Sequence, residues 1–291
     1  MDNHQKGLLL TALGVLVIAP DALILRLISL PAEQVVLWRG LLNIIGFLLI
    51  VLLRYKSQWW RAYLTCGRAG IGCALLFSLS TIGFILGNHF TKAANVLVIL
   101  ATAPLIAALL SRFFLQERLP LRTWLAIGGC MAGISLIVLD DLGSGSWLGS
   151  AFALLAALGL AGNFTLAHSQ PHIDMSPMLA LSGIITAALA FGWSGTLALP
   201  DAANLGWLVL LCLVLLPIGF TLIQQGPQYL PSAEVSLLLL LETVFGTLLV
   251  WLFLSEAPSA QGLWGGAIVL SALLLKSLLD KQKSKPRLCR R

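Results

Sequence analysis

The sequence predicts an all-α integral membrane protein: ten transmembrane helices arranged as two inverted five-helix repeats. Three observations predict it. Hydrophobic residues fill 58% of the 291 positions and charged residues only 10%, whereas a soluble domain carries about 25% charged residues. A surface of that size cannot be covered toward water with so few charges. Apolar runs of about 20 residues, enough to cross a hydrocarbon core, recur along the whole chain. The two halves also align on each other at an offset of 139 residues, which carries Glu117 onto Glu256.

The spans fall at 7–27, 34–53, 69–90, 94–114, 121–139, 147–168, 177–199, 205–226, 232–254 and 260–279. The first ends in "APDALILRL", without the small-residue cleavage pattern of a signal peptide. The second holds an arginine in "VVLWRGLL", the fourth is Ala-rich with Pro104, and the fifth is Gly-rich. Gly and Pro punctuate several others, as is common in membrane helices.

Basic residues orient the chain. With the N-terminus cytoplasmic, fifteen of the eighteen Lys and Arg lie in inside loops or the tail. Only Arg26 and Lys92 fall outside, and Arg39 lies within a helix. This bias places both termini in the cytoplasm; the expected location is a bacterial inner (plasma) membrane. The net charge of +6 is therefore an orientation signal, with no nucleic acid implied. The tail "KQKSKPRLCRR" is a basic solvated run that can also touch anionic lipid. The five cysteines, Cys66, Cys73, Cys130, Cys212 and Cys289, show no CxxC pairing and read as small apolar residues.

At the 139-residue offset, "TKAANVLVILATAPLIAALLSRFFLQE" lies over "LPSAEVSLLLLLETVFGTLLVWLFLSE". Ala94 meets Ala233, Val96 meets Val235 and Phe114 meets Phe253. The shared Leu-x-Glu at the end of the fourth and ninth helices is the most specific match. Five helices per half is an odd number, so the halves face opposite ways. That is a transporter architecture, with the binding site at the repeat interface near the midplane. The repeats span 1–140 and 141–280, followed by the tail 281–291.

These segments carry a resemblance. The stretch from Asn88 to Val138, with Ala-rich helix four, Pro104, "LQER" and Gly-rich helix five, is similar to the drug/metabolite transporter superfamily, in its EamA-type ten-helix branch. "LLLLETVFGTLLVWLFLSEAPS" resembles the second-half counterpart, with Thr243 in place of the usual proline. The resemblance implies a permease that moves amino acids, amines, drugs or related metabolites. It also implies that helices five and ten are peripheral to the cavity.

Charges inside the membrane are expensive and mark function. Asp21 and Arg39 each lie about six residues, or roughly 9 Å, below the outer boundary on adjacent antiparallel helices. An Asp21–Arg39 ion pair is expected, either fixing helix register or meeting substrate. Thr11, Gly14, Ile18 and Asp21 share one helical stripe, as do Arg39, Asn43 and Gly46; such stripes suit a cavity or a helix contact. At the repeat offset, with small loop shifts, Asn163 falls near Asp21 and Ala103 over Glu242, so the cavity is expected to be electrostatically asymmetric. Thr102, beside Pro104, joins the polar set.

Glu242 interrupts "LLLLLETVFG" about ten residues into helix nine, near the midplane. Its stem is too short to reach the interface. It binds a substrate ammonium, carries a proton, or hydrogen-bonds a neighbouring helix. The substrate-binding set is thus Asp21, Arg39, Asn43, Thr102, Asn163 and Glu242, with no catalytic group, metal ligand or cofactor. There is no Walker-type loop, no GxGxxG after a strand, and no His/Cys/Asp cluster at zinc spacing. The expected activity is secondary transport of a small organic solute by alternating access, most simply export of amino acids or related metabolites. Proton coupling and a homodimer are left open. The alternatives are a metabolite or amine importer, or a non-transporting membrane scaffold or enzyme.

Overall fold

The computed structural model describes residues 3–114, 116, 125, 128–129, 131–133, 135–136, 147–255 and 260–283. Most of the expected fifth helix and of the basic tail lies outside the described residues. All regular structure among the described residues is helical.

The first half holds α1 (Asn3–Ile18), α2 (Asp21–Leu27), α3 (Ala32–Tyr55), α4 (Trp59–Phe90), α5 (Ala93–Leu100) and α6 (Ala103–Phe114). The second holds α7 (Trp147–His168), α8 (Met178–Ser194), α9 (Ala202–Val209), α10 (Leu216–Gln224), α11 (Ser232–Leu238), α12 (Leu240–Leu254) and α13 (Ala260–Lys283). Six stretches among the described residues are long and apolar enough to cross a membrane: Asn3–Leu27, Ala32–Phe90, Ala93–Phe114, Trp147–His168, Ala202–Gln228 and Ser232–Leu254. The bundle presents leucines and isoleucines outward, among them Ile45, Leu49, Leu53, Ile184 and Leu189, all exposed. A water-soluble protein rarely tolerates apolar surface on that scale. The polar side chains Asp21, Arg39, Asn163, Gln224 and Glu242 are buried instead.

Three expected spans are each split. The first breaks at Ala19–Pro20, because Pro20 has no N–H to give the preceding turn. The fourth breaks at Ala101–Thr102, just before Pro104; the Thr102 N–H turns to Ile99 O at 3.1 Å. The ninth breaks at Leu239 without a proline. There Leu239 N–H donates to Ser236 O at 3.2 Å, and Glu242 N–H to Leu239 O at 2.9 Å. Thr243, standing where the resemblance expects proline, donates its hydroxyl to Leu97 O on α5 at 3.1 Å. A side-chain bond between helices thus anchors a break that proline makes elsewhere.

Two further departures are local. α4 begins ten residues ahead of the expected span, because residues 59–66 form a helical turn set off by a non-helical Gly67 (φ 52°). Trp59, Trp60 and Leu64 on it are exposed, as suits a segment lying at a membrane interface. Between α9 and α10, Leu210–Leu215 is wound as π-helix. Pro217 follows it within α10, and a proline disturbs the hydrogen bonds of the turn before it.

Helices pair across the halves. α4 lies along α7, α3 along α8, and α1 along α10, while α12 touches α1, α2 and α5. Small residues permit these crossings. A Cβ added to Gly40 on α3 would stand 2.6 Å from the Ala187 backbone N on α8, and one on Gly14 2.6 Å from Gly219 O. Residues of α2, α3, α4, α10 and α12 border one space inside the bundle.

Candidate solute-binding cavity

That space is lined by Asp21, Arg39 and Glu242, with α4 contributing Phe77, Ser80, Thr81 and Phe84 and α10 contributing Phe220. It is narrow, about 20 Å³, enough for one water. Admitting an organic solute therefore requires the helices to move apart.

Each charge reaches the cavity through a helix end or a helix crossing. Asp21 opens α2 directly after the Pro20 break. Glu242 lies in the first turn of α12, after the Leu239 break. A carboxylate in a first turn complements the partial positive charge of exposed N–H groups there. Arg39 stands in the middle of α3. Its Nη1 donates to Asp21 Oδ1 and its Nη2 to Asp21 Oδ2, both at 2.7 Å. Its guanidinium also lies 5.8 Å from the centroid of the Phe84 ring, within cation–π range. Glu242, also buried, makes no hydrogen bond or ion pair among the described residues. Its carboxylate faces the cavity beside a pair that is already closed.

The sequence-expected residues divide. Asp21, Arg39 and Glu242 meet at one cavity. Asn43 is buried one turn from Arg39 with its Oδ1 unpartnered, and does not line that cavity. Thr102 donates its hydroxyl to Ile99 O at 2.7 Å, closing the turn of its own helix break. Asn163 forms a reciprocal amide pair with Gln224: Nδ2 donates to Gln224 Oε1 at 2.8 Å, and Gln224 Nε2 to Asn163 Oδ1 at 3.2 Å. It joins α7 to α10 rather than facing the cavity.

Sequence reasoning missed the α4 wall. Phe77, Ser80, Thr81 and Phe84 recur at spacings of three, four and seven, one face of a helix. None is charged, so none stood out against an apolar background. Ser80 and Thr81 hydroxyls make no hydrogen bond among the described residues, although both residues are buried.

The two ends of the bundle differ. Further along α4, Ile85, Asn88 and His89 line a second pocket of about 120 Å³ together with Arg26. At the opposite end, polar contacts cross between the halves. Asp174 Oδ2 accepts from Tyr55 OH at 2.8 Å and Arg54 Nη1 at 3.0 Å. Lys6 Nζ donates to Tyr229 OH at 3.2 Å, and His168 Nδ1 lies 2.9 Å from Pro227 O.

A helical bundle with an apolar exterior and a charged cavity at its centre defines an integral membrane protein. The EamA-like transporter family matches residues 5–139 and again 147–278, and the chain belongs to that family. It is similar to the uncharacterized transporter YdfC of Bacillus subtilis (strain 168), 23% identical over 230 residues, which cover 72% of this chain and 73% of that protein. A protein of known crystal structure shares the fold with a TM-score of 0.65 at 17% identity, over 96% of this chain and 100% of that one.

Proposed function

We propose that this protein is a secondary transporter that moves a small organic solute by alternating access, with Glu242 receiving a cationic group of the solute in the central cavity. One observation carries the reading. Glu242 presents an unpartnered carboxylate to the cavity, while Asp21 and Arg39 beside it satisfy each other. A carboxylate held from water and facing a space of this kind is suited to an ammonium or a proton. Amino acids, amines and related metabolites are the solutes that the family resemblance suggests, with export the simplest direction.

The architecture we infer is ten spans in two inverted halves, 1–140 and 141–280, with both termini cytoplasmic. Its support lies in paired correspondences. The family matches the chain twice in succession. The third span packs on the sixth (α4 on α7) as the eighth does on the first (α10 on α1), and the second packs on its own counterpart, the seventh (α3 on α8). The fourth and ninth spans break at Ala101 and Leu239, adjacent positions once the 139-residue offset is applied.

Uptake by purified protein in liposomes tests the reading. Glu242→Gln keeps size and hydrogen bonding and removes titration. Transport should fall or lose its pH dependence while the variant stays folded. Wild-type transport with a wild-type pH profile would leave Glu242 a helix-packing residue.

A further inference from the structure

Resting on that reading of Glu242, we propose that the cavity selects a solute of net charge +1, an amine without a carboxylate, over a zwitterionic amino acid. Three charged side chains line the cavity among the described residues: Asp21, Arg39 and Glu242. Arg39 uses both terminal nitrogens on Asp21, and each Asp21 oxygen accepts one of them at 2.7 Å. The pair sums to zero, so it offers a solute no net charge. The Arg39 Nε is enclosed and makes no hydrogen bond. Glu242 is then the one charge left for a solute to meet.

An amino acid brings two charges into this space. Its ammonium has a partner in Glu242. Its carboxylate meets no uncompensated cation, because Asp21 already balances the Arg39 charge. The remaining polar groups are the hydroxyls of Ser80 and Thr81, which are neutral. Two neutral hydroxyls do not offset the dehydration of a carboxylate in a space walled by phenyl rings and leucines. Breaking the Asp21–Arg39 fork to free a cation would strand the Asp21 carboxylate instead.

The walls favour the amine. Phe77 and Phe220 meet edge to face with centroids 4.8 Å apart, and Phe84 lies on the other side of Ser80 and Thr81 along α4. Aromatic faces attract an ammonium and accommodate an apolar body. The Ser80 and Thr81 hydroxyls can accept the N–H groups that Glu242 does not take. A primary or secondary amine on an apolar or aromatic frame matches every group present.

Three probes sharing a phenyl ring and a two-carbon arm separate the charge types: phenethylamine, phenylalanine and 3-phenylpropionate. Binding is read at neutral pH by ligand-induced thermal stabilisation of the purified wild-type protein. Phenethylamine should bind at least about tenfold more tightly than phenylalanine, with no stabilisation by 3-phenylpropionate. Glu242→Gln should abolish the phenethylamine effect. Equal or tighter binding of phenylalanine overturns the inference, as does stabilisation by none of the three. If phenylalanine binds and needs Glu242, the site reading survives and the charge selection falls. If phenethylamine binds equally well to a folded Glu242→Gln protein, the role of Glu242 falls and takes the inference with it.

Discussion

Arg39 and Asp21 meet fork to fork inside the bundle, with both bonds at 2.7 Å and each side chain 3% exposed. They come from different helices, α3 and α2, joined by a short turn through Pro31. Two full charges at this depth are stable only together. Removing one leaves an uncompensated buried charge, a loss of about 3–5 kcal/mol. Asp21→Leu and Arg39→Leu should each lower the melting temperature sharply in detergent. The double variant should recover part of that loss. A double variant as unstable as the worse single one would mean the two residues act separately.

The Asn163–Gln224 amide pair is the neutral counterpart. Both residues are buried, and each amide gives one N–H to the other's oxygen. Asn163→Leu strands the Gln224 amide, at a cost of about 1–3 kcal/mol. Melting temperature checks this, and Asn163→Leu with Gln224→Leu should restore part of it. Lost transport at an unchanged melting temperature would instead point to a solute contact at Asn163.

Positions of the helices were legible because twenty apolar residues in a row have few other uses. The span expected at 147–168 is helical over those same residues. The Asp21–Arg39 pair was legible because two opposite charges lay at one depth on adjacent helices. Glu242 was legible as an interior carboxyl because its stem is too short to reach the interface from mid-helix. The break at Leu239 was not, since no proline marks it and Thr243 acts through a bond to Leu97 O that sequence does not display. Gln224, the last residue of α10, is buried against Asn163 because α7 and α10 approach there, a partnership that sequence does not display. The phenylalanines of the cavity were indistinguishable from those that face lipid: Phe77 is buried, whereas Phe113 and Phe114 are exposed.

Orientation is testable at two lysines. Lys56 sits at the turn between α3 and α4, and Lys92 just ahead of α5. One helix, α4, runs between them, so a membrane-impermeant maleimide should distinguish the two. In single-cysteine variants of intact cells, Lys92→Cys should react from outside and Lys56→Cys only after the membrane is opened. Labelling of Lys56→Cys in intact cells would invert the proposed topology.

Asp174 ties together the end of the bundle away from the Asn88 and His89 pocket. Asp174 lies in the segment between α7 and α8 and collects groups from three places. Its Oδ2 accepts from Tyr55 OH at 2.8 Å and Arg54 Nη1 at 3.0 Å, both at the end of α3. Its Oδ1 accepts from Ser176 N–H at 2.9 Å. Its own carbonyl receives the Cys66 thiol of α4 at 3.3 Å. A lone surface ion pair contributes little. Here the Asp174 carboxylate is mostly buried, at 15% exposure, and it ties the first half to the second. Arg54 extends the contact to Gln225, at the end of α10, at 3.3 Å. A transporter that opens at this end must release these bonds. Asp174→Asn keeps the shape and removes the charge that holds both Arg54 and Tyr55. The end should then open more often, and Cys66, now 2% exposed, offers a native reporter. Its reaction with N-ethylmaleimide, followed by mass spectrometry, should accelerate several-fold in Asp174→Asn, and added Arg54→Gln should change it little further. Unaltered Cys66 reactivity in a folded Asp174→Asn protein would show that closure at this end rests on helix packing, with the Asp174 contacts incidental to it.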